Sequence, residues 1–141
     1  MKVVICGPID FNDYEVVCQA IEKSGFEITE VVSGGAKGAD TLGERWSREQ
    51  LRKEPKVSKA KWSDLKQEGA VIKKNKWGSY NSNAGFFRNE EMAKYCDGVI
   101  AIDTGSAGTG HMIKMAKQYG KELYRYNVED NMEDEDYGYH F

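Results

Sequence analysis

Apolar residues along this chain follow two alternating rhythms. Some form short runs rich in β-branched side chains, and others recur every three or four positions. Residues 3–6 read as a first strand, and residues 14–23, with Val17, Cys18 and Ile21 at helical spacing, as a first helix. Residues 28–32 give a second strand. A second helix is predicted over residues 40–52, turning Leu42, Trp46 and Leu51 partly inward and placing Asp40 near its N-terminus, where a carboxylate is favourable. Residues 57–62 form a weaker strand whose lysine-rich pattern suits an edge. A third helix over 84–96, a strongly buried strand over 98–102, a fourth helix over 108–119 and a last strand over 123–126 complete the pattern. Residues 63–83 break it: polar and rich in Lys, Asn and Gly, they are expected to be an inserted loop or lid. Strand and helix alternate throughout, which predicts a single α/β domain over residues 1–126, with a mostly parallel sheet covered by helices on both faces.

Two glycine-rich turns stand about 70 residues apart, each after a β-branched run and before a helical one. The first is Ser33-Gly34-Gly35-Ala36-Lys37-Gly38-Ala39-Asp40, and the second is Asp103-Thr104-Gly105-Ser106-Ala107-Gly108-Thr109-Gly110. A strand that passes through glycines into a helix brings backbone N–H groups close to an anion, with the positive end of the helix dipole behind them. A single such turn is most often only a tight turn. Two of them, with small hydroxyl residues alongside, favour a nucleotide-like ligand. Ligands of parallel sheets sit at the carboxyl ends of the strands, and Gly7-Pro8 falls there too, so three loops are expected to converge on one crevice.

At 141 residues the chain fits one domain, and no apolar stretch approaches the roughly 20 residues that span a bilayer. The first apolar run is shorter than that of a signal peptide, so a cytoplasmic location without membrane contact is expected. Three cysteines, Cys6, Cys18 and Cys96, lack the spacing of a zinc site or a disulfide framework, and no metal or cofactor is expected. Net charge is −3, but six acidic residues and no Lys or Arg lie in an expected acidic tail over residues 127–141. Between Arg52 and Lys76 there are nine basic residues against three acidic. That excess raises single-stranded nucleic acid as a less favoured partner.

Two phosphate signatures are missing. Gly7-Pro8-Ile9 follows the first strand where a dinucleotide-binding G-x-G-x-x-G would stand, and neither turn matches G-x-x-x-x-G-K-[ST]. Nicotinamide redox chemistry and nucleoside triphosphate hydrolysis are therefore not expected. Gly7 after the first strand, Ser33-Gly34-Gly35-Ala36-x-Gly38-Ala39-Asp40, an aromatic at Trp62, Arg88-Asn89-x-x-Met92 and Gly105-Ser106-x-Gly108-Thr109 together resemble the SLOG superfamily, in its YspA-like, DUF2493 branch. The LOG phosphoribohydrolases and the DprA domain are relatives of that branch. The resemblance covers residues 1–126. It implies a Rossmann-like fold and a site for a nucleotide or ADP-ribose-type ligand, and it links the chain to nucleotide sensing in antiphage signalling.

The resemblance places Ser33, Gly34, Gly35, Gly38 and Asp40 in the first ligand loop and Gly105, Ser106, Gly108 and Thr109 in the phosphate loop, with Arg88 and Asn89 between them. The N–H groups of Gly108, Thr109 and Gly110 would open the fourth helix toward a phosphate. Arg88 would clamp that phosphate, or else pair with a surface acid such as Glu91. Asp40 would meet ribose hydroxyls or serve its own helix, Asp103 is the alternative ribose contact, and Trp62 would stack on a base or pack at a strand end. Two departures matter. Met112 stands where the hydrolases of the superfamily carry a glutamate, and a thioether neither stabilises an oxocarbenium-like centre nor activates water. Pro8-Ile9 also replaces the branch's Ser-Arg. The sequence therefore favours binding, whether sensing or sequestration, over catalysis. The alternatives are a nucleotide N-glycosidase of LOG type, with its catalytic residue unassigned, and a nucleic-acid module of DprA type. A homo-oligomer is expected.

Overall fold

The computed structural model describes residues 1–128, so the acidic tail from residue 129 lies outside the described residues. Five strands form one parallel sheet: β1 (Lys2–Cys6), β2 (Glu30–Ser33), β3 (Lys56–Val57), β6 (Gly98–Asp103) and β7 (Glu122–Asn127), in the order β3-β2-β1-β6-β7. A separate antiparallel hairpin is made by β4 (Ile72–Asn75) and β5 (Gly78–Asn81). The helices are α1 (Tyr14–Ser24), α2 (Ala39–Trp46), α3 (Ala84–Tyr95) and α4 (Ala107–Gln118). The chain builds outward from β1 in one direction, then returns to its other side at β6. That is the doubly wound, Rossmann-like arrangement, and its switch point is the β1/β6 seam.

Period-two alternation sends side chains to both faces of a buried sheet. Val3, Ile5, Val31, Ile100 and Ile102 pack with Val17, Ala20 and Ile21 of α1, with Leu42 and Trp46 of α2 against the same cluster. Val4, Cys6, Val32, Val99 and Ala101 pack with Met92, Ala93 and Cys96 of the α3 region and Met112, Met115 and Ala116 of α4. Every residue of β6 is buried, as expected of a strand covered on both faces. The Asp13 side chain caps α1 by accepting the Val16 N–H, and Gly25, at φ 68°, ends it.

Three sequence expectations need correction. The third strand is only Lys56–Val57 rather than 57–62, an exposed two-residue edge. The inserted stretch 63–83 is partly structured, since it carries the β4–β5 hairpin. The second helix leaves α geometry after Trp46 and continues in wider π-type turns over Ser47–Leu51, ending at Arg52, whose φ is 60°. Among the described residues no helix is long and apolar enough to cross a membrane.

Candidate functional site

The loops leaving β1, β2 and β6 meet at the carboxyl edge of the sheet, around a cleft of about 440 Å³ at the switch point. This volume falls in the range of small-molecule sites. Its floor is apolar: Cys6, Met92 and Met112 are all buried there. Pro8, Ile9 and Asp10 border it, together with Asp40, Arg88 and Asn89 and the opening of α4 at Ser106, Gly108 and Thr109. Burial pushes the Cys6 thiol pKa well up, with Asp40 adding to the effect, so Cys6 is a protonated, unreactive part of the floor.

The first glycine loop mostly frames the cleft. Ser33 is fully buried, donates to Glu44 at 2.7 Å and accepts the Gly35 N–H at 3.1 Å, which shapes the turn from inside. Gly34 gives its carbonyl to Arg88, and a Cβ there would meet Asp40 Oδ2 at 2.7 Å and Arg88 Nη1 at 2.6 Å. Gly38, at φ 76°, lies so close to the loop after β1 that a Cβ would meet the Pro8 carbonyl oxygen at 2.3 Å. Pro8 also accepts the Ala39 N–H at 3.1 Å, so the two loops are locked together. Gly7 has the same constraint, because a Cβ would strike Ala39 and Ile102. Gly35 packs outward against Val57 and Lys59. Of the first loop's expected ligand residues, only Asp40 borders the cleft directly.

In the second loop, Asp103 accepts the Gly105 N–H at 2.8 Å through one carboxylate oxygen and pairs with Arg125 through the other. It thereby shapes a turn whose Gly105 sits at φ 90°, and it does not border the cleft. The Ser106 and Thr109 hydroxyls bond one another at 2.6 Å at the start of α4. Because α4 begins at Ala107, the Gly110 N–H already bonds the Ser106 carbonyl at 3.0 Å. The amides left without intrahelical acceptors are therefore those of Ala107, Gly108 and Thr109, one residue earlier than expected.

Arg88 lies opposite this helix start. Its Nε donates to Asn89 Oδ1 at 3.0 Å and its Nη1 to Gly34. Among the described residues no carboxylate pairs with it, so the surface ion pair that the sequence left open is not formed. Asn89, its oxygen occupied by Arg88, turns its amide nitrogen to the Gly108 carbonyl at 3.5 Å and to His111 Nδ1 at 3.1 Å. His111, which burial and nearby Lys114 push toward the neutral form, thus accepts at Nδ1. Asp40 is buried and accepts the Ala36 N–H at 3.2 Å. Burial raises its pKa to about 6, against the lowering effects of the Ala36 hydrogen bond and the Arg88 charge.

Trp62 is not in the main cleft. It walls a second, smaller pocket of about 180 Å³ with Phe86, Gly85 and Ser82, and Arg88, Asn89 and Gly108 belong to both. Sequence reasoning missed Phe86 and His111, whose rings pack at 4.5 Å. Neither sits in a recognisable motif. Phe86 is exposed although it stands seven residues, two helical turns, before buried Ala93, so its place in the slot comes from the open end of α3 rather than from helical spacing. Among the described residues no cluster of His, Cys, Asp and Glu has the makings of a metal site.

Residues 1–57 match the sequence profile of YAcAr, the YspA, cpYpsA-related SLOG family. The chain is 27% identical over 129 residues to the Gene 61 protein of Mycobacterium phage D29, which covers 84% of this chain and 90% of that protein. In structure it resembles the DNA processing protein A (DprA) of Streptococcus pneumoniae, with a TM-score of 0.59 at 20% identity over 88% of this chain. The chain spans about half of DprA, 49% of its length. The SLOG, YspA-like relation and the Rossmann-like fold expected from the motifs are thereby borne out. The match takes in the first glycine loop, and the second loop lies beyond it.

Proposed function

We propose that this chain binds a phosphorylated nucleoside or ADP-ribose-like nucleotide in the switch-point cleft, to sense or sequester it. One observation carries the reading: Gly108 and Thr109, whose amides have no intrahelical acceptor, and Arg88, which forms no ion pair among the described residues, border the same cleft. Helix-terminal amides and an arginine fork are complementary to phosphate, while the buried Cys6, Met92 and Met112 offer apolar surface to a nucleoside. Asp40 stands close enough to the cleft to accept from a ribose hydroxyl. The SLOG relation agrees with a nucleotide-related role. Calorimetry with AMP and ADP-ribose tests it. Arg88→Ala is expected to weaken binding by about 10- to 100-fold, the worth of charge-assisted hydrogen bonds to one phosphate. Equal affinity in a folded Arg88→Ala protein refutes the site.

A hydrolase reading draws on Asp40. A cleft carboxyl that titrates near pH 6 suits general acid–base work. Against it, the residue in place of the hydrolases' glutamate is Met112, fully buried in the cleft floor. Release of adenine from AMP that disappears in Asp40→Asn would establish hydrolysis, and intact AMP recovered after prolonged incubation would establish capture.

A further inference from the structure

We propose that Trp62 and Phe86 form a second ring-binding subsite, so that the preferred ligand carries two ring groups joined through a phosphate seated at Arg88. This rests on the phosphate site proposed above. The main cleft and the aromatic slot are separate cavities, yet Arg88, Asn89 and Gly108 border both. The phosphate-binding groups therefore form a saddle between two chambers. The larger has an apolar floor and room for a nucleoside. The smaller is a slot of about 180 Å³, suited to one planar ring.

The slot's aromatic walls are exposed together. Trp62 is 49% exposed and Phe86 48% exposed. A lone exposed aromatic needs no explanation, but two facing one pocket beside an arginine do. Gly85 keeps the slot clear, since a Cβ there would stand 3.2 Å from the Trp62 ring and 3.9 Å from Arg88 Nη2. Nη2 is the guanidinium nitrogen without a hydrogen-bond partner among the described residues. Trp62 is held by its carbonyl, which accepts the Asn81 N–H at 2.6 Å, and Asn81 is itself fully buried and bonded to Gln67 at 3.0 Å. Phe86 is held against His111, which Asn89 orients.

Two sources supply this chemistry: a free dinucleotide-type molecule, or a step within a single-stranded nucleic acid. Ser82, at the slot's edge, follows directly on β5. The hairpin there exposes Lys73, Lys74 and Lys76, with Trp77 82% exposed at its turn, surface that a longer strand would reach and a small molecule would not.

The test is calorimetry with AMP, the dinucleoside monophosphate ApA and the oligonucleotide A12, at two salt concentrations, on the whole chain. ApA is expected to bind about 5- to 150-fold tighter than AMP, the worth of one further stacked base. Trp62→Ala and Phe86→Ala should each bring the ApA-to-AMP affinity ratio toward one, and Trp62→Phe should keep most of it. Thermal melts confirm that each variant is folded. Equal affinities for AMP and ApA, or a ratio that the two alanine variants leave unchanged, overturn the subsite while leaving the phosphate site standing. Failure of both ligands to bind in an Arg88-dependent way overturns the phosphate site and this inference together. With the subsite upheld, an A12 affinity that exceeds that of ApA and falls steeply with salt assigns a nucleic-acid strand, and equal affinities assign a small molecule.

Discussion

Gly108→Asp separates the fold from the site more cleanly than any other single change. Gly108 is the second residue of α4, is exposed, and has no atom within 4 Å of where its Cβ would be. A Cβ there has open space. Replacing glycine inside a helix gains a few tenths of a kcal/mol in propensity, and a carboxylate in the first turn adds about 0.3–1 kcal/mol through the helix dipole. The variant is therefore expected to melt about 2–4 °C above the parent. Ligand binding should move the other way. A carboxylate about 4 Å from a phosphate charge is opposed by roughly 4 kcal/mol at the effective dielectric of a protein surface, which is about 1,000-fold in affinity. Differential scanning fluorimetry without ligand and calorimetry with AMP give the two readouts, and Gly108→Asn, of the same shape without the charge, serves as control. An unchanged AMP affinity in the aspartate variant refutes the placement of phosphate at this helix start. A loss as large in the asparagine variant refutes the electrostatic argument.

Asp40 makes stability depend on pH in a defined direction. Its folded pKa of about 6 lies above the ordinary value of 3.8, so the folded state holds the proton more tightly and stability falls as pH rises from about 4 to 6. The loss is on the order of 3 kcal/mol, and urea titrations across that range should show it in the parent and not in Asp40→Asn. Affinity for a phosphate ligand should also weaken as Asp40 ionises, measured by calorimetry at pH 5 and pH 7.5. Gly38→Ala should cost about 3 kcal/mol or more, because it combines a φ of 76° with a Cβ pressed on the Pro8 carbonyl oxygen. A denaturant midpoint within error of the parent would contradict the loop interlock. Alkylation of the native protein followed by mass spectrometry should label half-buried Cys18 and spare buried Cys6 and Cys96 until denaturant is added. Early labelling of Cys6 would show that the cleft floor is open.

The sheet was legible because its strands obey the simplest rule. Residues 98–102 are apolar on both faces, and a run of that kind has no stable place other than a covered central strand. The β4–β5 hairpin was not legible, since all four residues of β4 are exposed and no face of it is buried to imprint a period of two. Its Lys76-Trp77 turn also lacks the Asn-Gly or Asp-Gly that announces a tight hairpin. The sequence predicts the second helix in one piece because Leu42 and Trp46 keep helical spacing, whereas Leu51 stands five residues past Trp46, off that α-helical stripe, and reaches the same core cluster through the π-type turns. At the site, glycine spacing located both loops. It did not separate residues that border the cleft, such as Asp40 and Gly108, from those that hold the loops in place, such as Ser33, Gly38 and Asp103. That distinction depends on which partner each polar group finds in three dimensions. Phe86 was hidden for a similar reason, since an aromatic among other aromatics carries no spacing signal.

The pairing of β1 with β6 also bears on how the molecule comes together in time. Val3 lies beside Gly98, and the Lys2 N–H bonds the Asp97 carboxylate 95 residues away. The pairing of β1 with β2 and the local hairpin need much shorter loop closures. Closing so long a segment delays the central seam, and parallel pairing of this range slows folding. The cleft lies across that seam, so it exists only once the two halves of the sheet have docked. A ligand gripping both sides should therefore leave the folding rate nearly unchanged and slow unfolding instead. On this basis a protein with a ligand in the cleft would resist proteolysis and turnover by staying closed longer, and the ligand would act as a kinetic latch on the closing of that seam.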